Sequence, residues 1–221
     1  MADEVAGSKR ALNTGVQAVA AVVLVAGVTG GVWGLSGIVP DDDGTGRPAT
    51  CAGEHGTPAA KRVSGAQLCR ALNRSDLPVL LGTPDEHART ADGDDNWITL
   101  DGGTRIASPE AVVTLETYCV KLSASEDRFS VSQGLDLLPK AEPRQILGHP
   151  AVLSSDRTAA SGSGGTGSGT ARGLLVAKDP EGGGGSFEIT VWRQDRAAPD
   201  DAALFRVAEL VLPTVPGWRS G

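Results

Sequence analysis

The sequence predicts an α+β domain carried behind an N-terminal transmembrane helix, with an antiparallel sheet and helices packed on it. Three observations carry this expectation. One long uncharged apolar run stands near the start. Short β-branched runs separated by Gly-rich turns fill the middle. Helical periodicity reappears on either side of those runs. The chain has 221 residues, room for one ordinary domain plus extras.

No charged residue lies between Ala11 and Pro40. The apolar part, Val16 to Val39, is interrupted only by Gln17, Thr29 and Ser36. As a helix it spans roughly 36 Å, enough for a hydrocarbon core of about 30 Å. A helix satisfies every backbone group inside lipid. Lys9 and Arg10 precede the run, and Asp41, Asp42 and Asp43 follow it. Positive-inside asymmetry puts residues 1–15 in the cytoplasm as a short tail and the rest outside the cell membrane. The competing reading is a cleaved signal peptide with AVAAVVLVAG as its apolar region. A lipoprotein anchor is excluded, because Cys51 lies far beyond the run. Gly27 with Gly31, and Gly30 with Gly34, have the small-xxx-small spacing that lets two such helices approach as a weak homodimer.

Residues 40–62 are rich in Gly, Pro and Asp without apolar period, and read as a flexible linker. The folded extracytoplasmic domain is then 63–221. Ser64 and Gln67 form a capping box, and Val63 with Leu68 fit a hydrophobic staple. These open a short helix that runs to about Asn73. A second short helix takes Ser75 as its N-cap and Gly82 as its stop. The stretch 84–96, PDEHARTADGDDN, is polar and aperiodic, which predicts a loop.

Strands follow. WITL and TRIA about Asp101-Gly102-Gly103 make a hairpin signal. Residues 111–122, AVVTLETYCVKL, predict one strand. Gln145–Leu147 and Ala151–Ser155 predict strands bent at Gly148-His149-Pro150, and GLLVA at 173–177 predicts a buried one. Phe187, Ile189 and Val191 alternate with Glu188, Thr190 and Trp192, the period of a further strand. After Pro199-Asp200, a helix lines up Leu204, Val207, Ala208 and Val211, and Pro213 ends it. Two connectors, SGSGGTGSG at 161–169 and EGGGGS at 181–186, are flexible by composition.

Composition narrows function. Twenty basic residues against 27 acidic ones give a net charge of −7, which argues against nucleic acid as a partner. Eight aromatic residues do not make a base-stacking platform. Gly162 to Gly167 fits G-x-G-x-x-G, but a strand rather than a helix follows, so no helix N-terminus meets a phosphate. No Walker motif and no G-x-S-x-G elbow occurs. His55, His87 and His149 are dispersed. His87 lies among Asp85, Glu86, Asp92, Asp94 and Asp95, yet that spacing lacks the EF-hand pattern and reads as a solvated acidic loop. No catalytic residue, cofactor or metal ligand is assigned.

Of the three cysteines, Cys51 stands in the polar linker, Cys69 on the core-facing side of the first helix, and Cys119 within a strand. An extracytoplasmic compartment permits disulfides. The expected pair is Cys51–Cys69 with Cys119 free; Cys69–Cys119, or no bond, are the alternatives.

The segments RVSGAQLCRALNRSDLPVLLGTP, CVKLSAS, LGHPAVLSSDRT, SFEITVWRQ and AELVLPTVPGW, behind a single span, resemble an uncharacterised family of single-span surface proteins from high-GC Gram-positive bacteria, a domain of unknown function. The resemblance runs over essentially the whole chain and implies no activity, so it transfers no catalytic residue. More loosely, the element order is similar to small lipoproteins with a PsbP-like sandwich. One span, one small domain and no catalytic constellation lead to the functional expectation. It is a non-enzymatic domain at the cell surface that binds an unknown envelope protein or ligand. The alternative is a small envelope hydrolase or metal-assisted enzyme using acidic residues and His87.

Overall fold

The computed structural model describes residues 49–52, 62–99, 103–126, 131–156, 170–182 and 185–220. The apolar run 16–39, Gly27, Gly30, Gly31, Gly34, His55 and the 161–169 connector lie outside the described residues. Among the described residues no helix is long and apolar enough to cross a membrane.

Two short helices come first, α1 (Gly65–Leu72) and α2 (Leu77–Leu81). In α1 the capping box forms as the spacing requires. The Ser64 hydroxyl accepts from the Gln67 N–H, and the Ser64 N–H donates to Gln67 Oε1 at 2.9 Å. The N-cap of α2 is Asp76 rather than Ser75, with Pro78 in its first turn. Arg74 draws the Asp76 carboxylate into an ion pair, so it makes no side-chain cap hydrogen bond. Gly82 ends α2 in the left-handed region at φ 82°, where a Cβ would be strained.

Seven antiparallel strands make one sheet: β1 (Thr90–Thr99), β2 (Arg105–Thr114), β3 (Tyr118–Ser125), β4 (Glu142–Ile146), β5 (His149–Asp156), β6 (Ala171–Ala177) and β7 (Ser186–Arg193). Their order is β1-β2-β3-β7-β6-β5-β4. Two meanders therefore meet where β3 pairs with β7. The crossover between them carries α3 (Val131–Leu137), and the chain closes with α4 (Asp201–Val211) and a 3-10 turn, Leu212–Thr214.

Further sequence expectations change. The expected loop 84–96 becomes strand from Thr90 onward, because β1 pairs with β2 along its whole length, from Thr90↔Thr114 to Thr99↔Arg105. The strongly β-forming partner supplies the ladder, and the Asp94 and Asp95 side chains stay exposed. The expected single strand 111–122 breaks at Leu115–Tyr118 into a hairpin, with the Leu115 N–H donating to Tyr118 O at 2.7 Å. Glu86 holds that turn by accepting from the Thr117 N–H at 3.0 Å, a contact 31 residues away in sequence. Helix α3 falls in a stretch with no predicted element. The bend at Gly148 is a hairpin turn between β4 and β5, as their register shows.

The pleat gives the sheet two unlike faces. On the first, Val113, Val120, Leu122, Ile189, Val191 and Leu174 form one core with Leu68 and Leu72 of α1 and Leu204 and Val207 of α4. Where α1 crosses β1, backbones touch. A Cβ on Gly93 would lie 2.4 Å from the Gly65 carbonyl oxygen, so neither position tolerates a side chain. On the second face, α3 covers only the β5–β6 end, where Val131 meets Val152, Leu175 and Ala177.

Residues 49–52, read as part of the linker, lie along β1. The Ala52 N–H donates to Ala91 O at 2.9 Å, and Ala52 pairs with Asp92 in parallel. Asn73 Nδ2 donates to Ala49 O at 2.8 Å.

Candidate functional site

The residues singled out from the sequence do not converge. Cys51 and Cys69 are bonded across a separation of 18 residues, with their Cα atoms 6.0 Å apart. This pins segment 49–52 to α1. Cys119 is a free, buried thiol, and burial pushes it up to about 12. Such a thiol is not a nucleophile at neutral pH.

The acidic residues near His87 disperse into separate structural tasks. His87 is exposed. Glu86 caps the β2–β3 turn, and Asp95 accepts from the Gly65 N–H at 2.7 Å at the start of α1. Among the described residues no group of acidic, His or Cys side chains is arranged to hold a metal ion.

His149 is fully buried. Its Nδ1 lies 2.9 Å from Ala177 O, and its ring stacks on Trp218 at 3.7 Å. The C-terminal tail holds that stack shut, because the Arg219 N–H donates to Lys178 O at 3.1 Å. An open cleft of ≈ 380 Å³ lies beside Arg172 and the start of α4. The Arg172 guanidinium is already engaged there by Asp201 and Ser155, so it is not offered to an anion.

The arrangement with chemical capacity is the polar half of the sheet's second face. Register lays Asp92, Val112, Lys121, Thr190, Gly173 and Ser154 in one row across six strands. The next row holds Asp94, Glu110, Ser123 and Glu188. Glu110 is 7% exposed, accepts from Asn96 Nδ2 at 2.9 Å and faces Lys121 Nζ at 3.9 Å. Burial raises its carboxyl above the usual carboxylate range, Lys121 opposes that, and Asp94 and Glu188 add to it. Asp92 is raised too, by burial and by Asp94.

A Cβ on Gly173 would lie 2.9 Å from Ser154 Oγ, 3.9 Å from Glu188 Oε1 and 4.0 Å from Thr190 Oγ1, so Ser154 already takes the room that a side chain at 173 would need. Ser154 and Thr190 are each 8% exposed. Ser154 Oγ donates to Gly173 O in a long bond of 3.5 Å, and the Thr190 hydroxyl is not among the buried groups left without a hydrogen-bond partner.

Sequence reasoning did not find this site. Alternation in β7 was legible, but the cross-strand neighbours of Thr190 come from β3 and β6, whose register the sequence leaves open.

Fold and site thus define an α+β domain with a polar sheet face. The chain belongs to a family of unknown function, DUF6215, which matches residues 9–141. The match takes in Glu110 and Lys121 but ends before β4, whereas the resemblance read from the sequence runs over the whole chain. No curated protein and no solved structure matches the chain at a significant level.

Proposed function

We propose that this protein is a single-pass, membrane-anchored domain whose extracytoplasmic part binds a ligand without catalysis, on the polar half of the sheet's second face. The carrying observation is the row of polar side chains that register lays across this face, with Glu110 buried beside Lys121 and Asn96. The anchoring half rests on the apolar run 16–39 with its basic and acidic flanks. Absence of catalysis is favoured by the buried Cys119 thiol and by a Glu110 carboxyl already engaged by Asn96 and Lys121.

The test uses the full chain in detergent micelles with labelled threonine methyls. Small molecules extracted from a bacterial cell envelope are added in fractions. At least one fraction shifts the Thr190 methyl resonance saturably and leaves threonine methyls away from this face in place. If every fraction leaves Thr190 unmoved, the binding reading is wrong. Turnover of an added compound would instead establish the hydrolase alternative.

A further inference from the structure

We infer that Trp97, Arg62 and Arg105 form a second attachment to the bilayer, taking the phosphate headgroups of anionic lipid, an assignment that rests on the membrane-anchored reading above. The observation is an exposed indole with two unpaired cations on it. Trp97 in β1 is 48% exposed, and the guanidiniums of Arg62 and Arg105 lie over its ring, 5.8 Å and 4.9 Å from the centroid. Neither guanidinium enters an ion pair or a hydrogen bond within the described residues. Elsewhere Arg74, Arg144, Arg172 and Arg193 each hold a carboxylate. The nearby acids of β1 do not serve here. Asp94 lies on the sheet's second face, and Asp95 accepts from the Gly65 N–H at 2.7 Å.

A guanidinium stacked on a ring keeps its N–H edge free for an acceptor in its own plane. Its fork matches two phosphate oxygens. Two such cations on one ring repel each other, and an anion between them offsets that repulsion. The indole adds an amphipathic plate of the kind that collects at headgroup depth. A soluble anion would use the forks and leave the ring in water, whereas a bilayer surface uses both. Screening over ~8 Å makes this local pair, rather than the net charge of −7, decide the contact.

Chain length permits the contact. Cys51–Cys69 and the Ala52–Asp92 bridge fix where the tether meets the domain, at the β1 edge. The ten steps from Val39 to Ala49 reach about 35 Å at most. Trp97 lies five residues beyond Asp92 on the same strand, roughly 17 Å away at strand rise. Tether and cluster thus attach one edge strand at two points, which stands the sheet on its β1 edge and leaves the second face open to solvent.

The experiment places the full chain, carrying fluorotryptophan, in bilayer discs of phosphatidylcholine and phosphatidylglycerol with a nitroxide on a fraction of the headgroups. Fluorine relaxation is compared at Trp97, Trp192 and Trp218, each assigned through its Trp→Phe variant. Trp97 is expected to relax at least about fivefold faster than the other two. In the Arg62→Gln, Arg105→Gln double variant that excess disappears, while the Trp192 and Trp218 shifts stay in place, which reports an intact fold. Equal relaxation at all three sites, in discs that retain the chain, overturns the second attachment and leaves the anchor standing. An excess that the double variant keeps removes the guanidiniums from the contact and overturns the assignment. A Trp97 shift on adding inorganic phosphate, without excess relaxation from the headgroups, gives the cluster to a soluble anion and also overturns it. A chain that does not stay with the discs overturns the anchor and the second attachment together.

Discussion

Strand β7 presents two different molecules on its two sides. Phe187, Ile189 and Val191 point into a core shared with α1 and α4 and are fully buried. Glu188 and Thr190, one residue out of phase, belong to a face that α3 covers only at the β5–β6 end. The same backbone and the same ladder serve both. What differs is the solvent each side exchanges for protein. The first face trades water for hydrocarbon and gains at ~25 cal/mol per Å². The second trades water for hydroxyls and carboxylates that are incompletely paired, and gains little or nothing. Stability and binding capacity are thereby assigned to opposite sides of one sheet.

The sharpest way to break this comparison is to truncate one residue on each side. Ile189→Ala should cost about 4 kcal/mol, because the cavity has rigid neighbours in two strands and a helix. Thr190→Val, which keeps the shape and removes only a hydroxyl that no hydrogen bond within the described residues engages, should stay within about 0.5 kcal/mol of wild type. Denaturant melts of both variants provide the check. Equal losses would mean that the second face is as structural as the first.

Next in size is the staple at the first-face edge. Replacing Cys51 and Cys69 together by Ala opens a loop of separation 18 and should cost about 3 kcal/mol in the chain-entropy model. Alkylation of the native wild-type chain should label no cysteine quickly, because Cys119 is buried with its thiol pushed up to about 12. Fast labelling of Cys51 in the unreduced chain would remove the staple from the account.

Glu110 tests the second face through pH. Its folded value is raised by burial, so the protonated form favours the fold. Its contribution is complete below its ordinary value of 4.5 and is lost as pH rises through the raised one. Glu110→Gln removes this titration and keeps a partner for Asn96. Between pH 4.5 and neutrality the melting temperature of the wild type should fall relative to that of the variant. Parallel pH profiles would show that the carboxyl is not buried in solution.

The smallest effect lies at the entrance to α1. Ser64→Ala breaks one half of the capping box and should cost about 1 kcal/mol. Thermal melts suffice to detect it, and no change would place the weight on Gln67 and on Asp95, which accepts from the Gly65 N–H.

Much of this was open to reading before any coordinates. Local signals placed α1, through Ser64 and Gln67, and α4, through Asp200 and the Leu204–Val211 stripe. Period-two alternation placed β7, and a continuous apolar run placed β6. These elements state their own boundaries because caps and periods act within a few residues. The start of β1 was not legible. Thr90–Asn96 has poor strand propensity and is extended because β2 templates it. Nor was the Leu115–Tyr118 turn, whose tip lacks Gly, Asn or Pro and is held by Glu86 from a distant segment.

The sequence alone therefore determined the class of the fold, the helix ends, the alternating strands and the uneven charge about the apolar run. Those follow from interactions between residues near one another along the chain. Only the tertiary structure decided which side of the sheet stays polar, and that Gly173 lies among Ser154, Glu188 and Thr190. Register and crossover are set by burying the first face against α1 and α4. The second face inherits its neighbours from that choice, so no local pattern encodes them.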